Sequence, residues 1–175
     1  MGWLLLTISL LVLFFGLVVF SGAPYVPSRK KDVQQAFSRL YPLGPDDLLV
    51  DIGSGDGLVL RAAAKIGARA VGYEINPILV FVSRLLARKY RGIDVILADF
   101  WLSKLPTDVT VVYIFSVTRD MKKIINKLQN ETNRLGRPIH VISYGSKFDV
   151  VKAIKSLGAY NLYRLEPLQS AEAQV

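Results

Sequence analysis

The chain has 175 residues, 51% of them hydrophobic, and a formal charge of +8 at neutral pH. That is enough for one domain with its own core plus a short extension, and basic enough to suit an anionic surface such as membrane lipid, nucleic acid or a ribosome. There is no cysteine, which excludes disulfides, thiolate metal sites and a cysteine nucleophile; the single histidine, His140, lies in an apolar run and reads as a core or strand-end residue.

The hydrophobic excess is concentrated at the start. No charged residue occurs from Trp3 to Phe20, a run long enough to cross a bilayer. A cleaved signal peptide is the competing reading, since Ser21-Gly22-Ala23 offers a cut site, but the basic residues that should precede its apolar run are missing. They follow it instead, at Arg29, Lys30 and Lys31, which places the N-terminus outside and the rest in the cytoplasm, or the matrix of an organelle. Residues 1–21 are therefore expected to be a single transmembrane anchor. Residues 22–45 follow as a juxtamembrane segment, stiffened by Pro24 and Pro27. Ser28 is its expected N-cap, opening a helix from Arg29 to Leu40 whose Val33, Phe37 and Leu40 recur at helical spacing.

Residues 46–169 alternate strand and helix. Leu48-Leu49-Val50 reads as a buried parallel strand. It runs into Asp51-Ile52-Gly53-Ser54-Gly55-Asp56-Gly57, after which Leu58 to Lys65 favours helix. Strand, glycine turn and helix together let a backbone approach a ligand and aim helix N-terminal amides at it. A second strand, Ala70 to Glu74, ends in a carboxylate seventeen positions beyond Gly57. Pro77 fits the first turn of a helix reaching about Tyr90; its Leu79, Val80, Phe81, Val82 and Leu86 are expected to be core, and Arg84, Arg88, Lys89 and Arg91 a basic outer side. A third strand, Val95 to Ala98, leads to Asp99-Phe100-Trp101. Val109 to Phe115 is a fourth, followed by a helix from about Asp120 to Leu135. Ile139 to Tyr144 is a fifth, then a short helix from Val150 to Leu157 capped by Gly158, then a last strand, Tyr160 to Leu165. Residues 170–175 read as a frayed tail.

The order Asp-x-Gly-x-Gly-x-Gly, with acids at the ends of the next two strands, resembles the class I S-adenosylmethionine-dependent methyltransferases. The resemblance implies a Rossmann-like α/β sheet of order 3-2-1-4-5 plus a last antiparallel strand, with the ligand at the C-terminal strand edges. It implies S-adenosylmethionine as methyl donor, held by Asp51, Gly53, Ser54, Gly55, Asp56, Gly57, Glu74, Asn76, Asp99 and Phe100. Glu74 would take the ribose hydroxyls, Asp99 the adenine amino group, and an aromatic neighbour would cover the ring. No metal is implied.

Pro24-Tyr25-Val26-Pro27-Ser28 ahead of that core looks more specifically like the membrane-anchored protein-lysine methyltransferases whose mitochondrial members modify the ATP synthase c subunit and the adenine nucleotide translocase. In them the proline-rich segment helps close the cofactor site, so Tyr25 and Ser28 are candidate lid contacts. Leu58 departs from the pattern, which has arginine after the glycine turn. Ser116, Thr118 and Tyr144, with Phe115, would form the acceptor wall. The stretch Phe115-Ser116-Val117-Thr118 replaces the Asp/Asn-Pro-Pro-aromatic motif of many amino-directed methyltransferases, which argues against the DNA-adenine and glutamine types without identifying lysine. A protein lysine in a membrane-associated partner, RNA or the ribosome, and a lipid or quinone remain as acceptors; a non-catalytic membrane scaffold is the remaining alternative. Lys30, Lys31, Lys122 and Lys123 would face an anionic membrane surface.

Overall fold

Apolar runs of five to seven residues, rich in valine and isoleucine, become the central strands of one seven-stranded sheet. The computed structural model describes residues 2–9, 29–116 and 120–168. Residues 2–9 are helical (α1). Then come α2 (Lys30–Gln35), a π-helical turn (Ala36–Leu40), β1 (Leu48–Ile52), α3 (Leu58–Ile66), β2 (Arg69–Glu74) and α4 (Pro77–Ala87). β3 (Ile93–Leu97), β4 (Val111–Ser116), α5 (Met121–Leu135), β5 (Ile139–Gly145), β6 (Lys155–Leu157) and β7 (Tyr160–Leu165) complete the chain. The strand order is β3-β2-β1-β4-β5-β7-β6. The first five strands are parallel, and β7 runs antiparallel between β5 and β6.

Strand alternation divides the side chains between two cores. On one face α2, the π turn, α3 and α4 bring Val33, Phe37, Leu60 and Val80 against Leu49, Ala70, Val95 and Tyr113. On the other, α5 supplies Ile124, Ile125 and Leu128 against Val50, Val112 and Ile139, and two irregular stretches add Phe100, Leu105 and Phe148. His140 stands at the opening end of β5, half-buried with its ring 4.9 Å from Tyr41. Burial and the Arg164 charge lower its pKa. It lies at the edge of the sheet away from the glycine turn.

Three expectations need correction. The helix anticipated from Val150 to Leu157 does not form. Lys155–Leu157 is instead a strand joined to β7 through Gly158, whose φ of +58° turns the chain. The hairpin also satisfies buried Asn161, whose Oδ1 accepts from Ser156 Oγ at 2.8 Å, a cross-strand pair that helical geometry would not allow. In α4 the expected apolar face is only partly inward: Val80 is buried with Ser83 and Ala87, Leu79 and Val82 are half-buried, and Phe81 and Leu86 are exposed. The N-cap of α2 is Arg29, without a side-chain cap bond; Ser28, the expected cap, lies outside the described residues. Among the described residues no helix is long and apolar enough to cross a membrane. Residues 10–21 of the expected anchor and the tail at 170–175 lie outside them.

Candidate active site

The site is built on the turn between β1 and α3. Gly53, Gly55 and Gly57 all have positive φ, at 73°, 55° and 77°, a region where a side chain is strained. The turn is tied to the neighbouring strand by the amides of Gly53 and Ser54, which both donate to the Tyr73 carbonyl at 2.9 and 3.1 Å. A Cβ on Gly57 would stand 2.2 Å from Ser83 Oγ on α4, and one on Gly72 would stand 2.5 Å from Ser54 Oγ. At Gly53 a Cβ would meet nothing within 4 Å. Glycine is thus required by packing at two positions, and at the third the backbone borders open space. Ser54 and Ser83 are buried with hydroxyls that find no hydrogen-bond partner among the described residues; both lie against the positions a glycine Cβ would take.

Two buried carboxylates flank this turn. Asp51, 3% exposed, lies in β1 between Gly72 of β2 and Tyr113 of β4. Burial, and then the like charges of Glu74 and Asp56, push its pKa from 3.8 up to about 8. Glu74, 7% exposed, ends β2 and accepts from two amides: Gly55 N to Oε2 at 2.9 Å and Asn76 N to Oε1 at 2.8 Å. One carboxylate therefore holds both the turn and the start of α4. Asn76 caps that helix, its Oδ1 accepting from Ile78 N at 2.9 Å, with Pro77 at the first helical position. Asp56 is committed locally: Oδ1 accepts from Leu58 N at 3.0 Å and Oδ2 pairs with Arg61 at 3.2 Å. Arg61 also donates to the Asp56 carbonyl.

Asp99 follows β3, and its Oδ1 accepts from the Trp101 amide at 2.9 Å. Phe100 is buried in the second core rather than open at the turn. The Trp101 ring instead carries Lys123 Nζ 4.0 Å from its centroid. A latch absent from any sequence motif holds this loop. Glu131 of α5 accepts from Leu105 N at 2.8 Å and from Arg134 at 2.6 Å, while Arg134 donates to the Leu105 carbonyl at 2.7 Å. Burial opposes the Glu131 charge, but Arg134 and the Leu105 amide outweigh it and hold its carboxyl below the usual range.

At the ends of β4, β5 and the start of β7 stands an aromatic group. Phe115 and Tyr144 are stacked at 5.4 Å, and Tyr144 lies 4.7 Å from Tyr160. The Tyr160 hydroxyl is 3.3 Å from that of Tyr113. Burial foremost raises Tyr160 to about 12, with Tyr113 lowering it and Asp32 and Tyr144 raising it further. That hydroxyl stays protonated at neutral pH and is not a ready base. Tyr160, invisible as a site residue in the sequence, is brought here by antiparallel pairing with Tyr144. Ser116 ends β4; Thr118, Tyr25 and Ser28 lie outside the described residues.

The donor set fits a cationic nucleoside such as S-adenosylmethionine. Among the described residues no cation pairs with Asp51 or Glu74, and no group donates a hydrogen bond to Asp51. A buried Asp51 without donor or cation favours a positively charged ligand, and the open space at Gly53 leaves room nearby.

Comparison with known proteins agrees with this geometry. Residues 51–153 match the ANTKMT methyltransferase domain. The ATP synthase c-subunit lysine N-methyltransferase of Xenopus laevis is 38% identical over 119 residues, which is 66% of this chain and 51% of that protein. This chain thus spans about half the length of that relative. The adenine nucleotide translocase lysine N-methyltransferase of Mus musculus is 45% identical over 65 residues, 37% of this chain and 28% of that one. Among solved structures, an RNA methyltransferase from Salinibacter ruber, in complex with S-adenosyl-L-homocysteine, superimposes with a TM-score of 0.72. It is 27% identical, with 84% of this chain and 97% of that one covered. A sheet of order 3-2-1-4-5-7-6, a glycine turn between buried carboxylates and a matched span of more than half the chain lead to one assignment: the chain belongs to the ANTKMT methyltransferase domain family.

Proposed function

We propose that the chain is an S-adenosylmethionine-dependent protein-lysine N-methyltransferase acting on a membrane-associated protein. The observation that carries the reading is the pair of buried carboxylates, Asp51 and Glu74, around a three-glycine turn, with no cation among the described residues to neutralise them. S-adenosylmethionine supplies an activated methyl group on a sulfonium. Asp51, whose carboxyl is held neutral by burial to about pH 8, gives up its proton when the cationic methionine end binds beside it. Glu74, already fixed by two amides, has lone pairs left on each oxygen for the ribose hydroxyls. Gly53, Ser54, Gly55, Asp56 and Gly57 shape the turn; Asn76 and Asp99 belong to the strand ends around the nucleoside, Phe100 supports that loop from the second core, and Tyr25 and Ser28 belong to a lid.

The names of the relatives support lysine as the acceptor. Ser116, Thr118 and Tyr144 wall the acceptor side. A lysine enters with a pKa of about 10.4 and must lose a proton before it attacks. The half-buried rings of Phe115 and Tyr144 exclude water there, which disfavours the ammonium form and lowers that barrier. In this reading residues 1–21 anchor the chain with its N-terminus outside, residues 22–45 link and close, and residues 46–169 perform the transfer on the cytoplasmic or matrix side.

A second reading, methylation of RNA, is favoured by the Salinibacter ruber structure and the +8 charge. One experiment separates them. Full-length protein is incubated with radiolabelled S-adenosylmethionine and membranes of the source organism. Label in one protease-sensitive band, mapped to a lysine, is the expected result. Label in RNA or lipid would replace the acceptor but keep the cofactor. Absence of both label and calorimetric cofactor binding would remove the enzyme reading.

A further inference from the structure

α4 buries Val80, Ser83 and Ala87 and leaves its largest side chains outward, unlike a helix whose bulkiest residues cover a core. Val80, Ser83 and Ala87 face the sheet. Phe81 and Leu85, one turn apart, are 65% and 46% exposed, and Leu86 beside them 44%. At the ends of β2 and β3, Ile75, next to Glu74, and Leu97 are exposed as well. Exposed apolar area of this kind marks an interaction surface.

Its charge points to the occupant. From Pro77 to Arg91 there is no acidic residue, and the basic ones are Arg84, Arg88, Lys89 and Arg91. Arg84 is spent on the fold, its guanidinium forking onto the Val95 carbonyl of edge strand β3 at 3.0 and 2.7 Å. Arg88, Lys89 and Arg91 are exposed and make no ion pair among the described residues. Bulky apolar side chains along a helix that ends in unpaired cations are the composition of a helix lying in a membrane interface.

We propose that the outward face of α4, with the adjoining end of β3, docks on an anionic bilayer. Phe81, Leu85 and Leu86 enter the headgroup boundary, while Arg88, Lys89 and Arg91 meet acidic headgroups. The docking extends the membrane-directed reading above and rests on it for its purpose: it sets the Glu74 end of the site close to the lipid surface, where a segment of a membrane protein can reach it.

The absence of native cysteine makes the test direct. Single cysteines are introduced into the full chain as Phe81→Cys, Leu85→Cys and, as a control on the exposed side of α5 in the opposite layer, Asn126→Cys. Each is tagged with an environment-sensitive fluorophore. Vesicles are phosphatidylcholine alone or mixed with phosphatidylserine. Tags at 81 and 85 are expected to shift to the blue, and to be quenched by acyl-chain spin labels, in the anionic vesicles only. The tag at 126, one turn from Lys122 on α5, should not respond; a response there in place of 81 and 85 assigns the bilayer contact to the α5 lysines and overturns the proposal. Arg88→Glu with Lys89→Glu should return the 81 and 85 tags to aqueous emission. Tags that remain aqueous while the chain is vesicle-bound overturn the proposal. So do tags shielded before vesicles are added, with concentration dependence assigning the cover to a second copy and its absence to the chain's own N-terminal segment. Calorimetry with S-adenosylhomocysteine on the same proteins keeps the readings apart. Lost docking with intact binding overturns only the surface; absent binding in the wild type overturns only the methyltransferase.

Discussion

Replacing Asp51 with asparagine should make the protein more stable and less able to bind its cofactor. Burial, followed by repulsion from Glu74 and Asp56, raises the Asp51 carboxyl from 3.8 to about 8. A carboxyl raised by folding gives up protons more readily in the unfolded chain. Its contribution to stability is therefore complete below about pH 3.8 and is lost progressively as pH rises to about 8. Above that range the loss is on the order of 5 kcal/mol relative to a group that never ionises. The asparagine side chain would keep the shape without the ionisation. Urea denaturation of wild type and Asp51→Asn from pH 4 to pH 9 measures the difference, because titrations other than those of its neighbours Glu74 and Asp56 cancel between the two proteins. The variant should gain on the wild type steadily through this window. A bound cation reverses the balance in the wild type, so S-adenosylmethionine should bind with proton release near neutral pH, seen as a buffer-dependent calorimetric enthalpy that the variant lacks. Parallel stability curves for the two proteins across the window would refute the reasoning, since the carboxyl would then not be held neutral by its surroundings.

Glu74→Gln removes the charge while keeping the shape, and can no longer accept from both Gly55 and Asn76. A stability loss of about 1–3 kcal/mol should accompany at least a ten-fold weaker calorimetric affinity for S-adenosylhomocysteine; unchanged affinity would remove the ribose assignment. Gly57→Ala sets a Cβ 2.2 Å from Ser83 Oγ at a φ of +77° and should destabilise by about 2 kcal/mol or more. Ser83→Ala, which deletes an unpartnered hydroxyl, should be neutral or stabilising alone and partly restore Gly57→Ala in thermal unfolding; no rescue would show that backbone strain dominates. Glu131 has a lowered pKa, so its stabilisation is present above its ordinary value of 4.5 and is lost as pH falls through its folded value. Glu131→Gln should therefore unfold more easily near pH 7 but show a flatter acid limb, and an acid limb matching wild type would exclude the Leu105 latch as its source.

Much of the site is local in the sequence and was legible there. The turn from Asp51 to Gly57 and the carboxylate of Glu74 lie within two strands and one helix, and their spacing follows from strand and helix lengths alone. The sheet order followed from the family resemblance, and the first five strands follow it. Apolar content could not say which side of α4 was buried. Ser83 lies against Gly57, so that part of the helix admits only a small residue, and Phe81 and Leu86 turn outward. Gly158 fits the cap of a helix ending at Leu157, but a glycine at positive φ also turns a hairpin, and pairing with β7 makes Lys155–Leu157 a strand.

The sequence by itself determined where the chain bends back on glycine and which acids end its strands, since covalent spacing and local backbone preference suffice for both. Tertiary structure alone decided that Asp51 is held protonated to about pH 8, that Glu131 clasps the loop at Leu105, and that Tyr160 joins Tyr144 and Phe115. Each of these depends on desolvation or on contact between residues distant in the chain, and neither property is carried by a residue's type or its immediate neighbours.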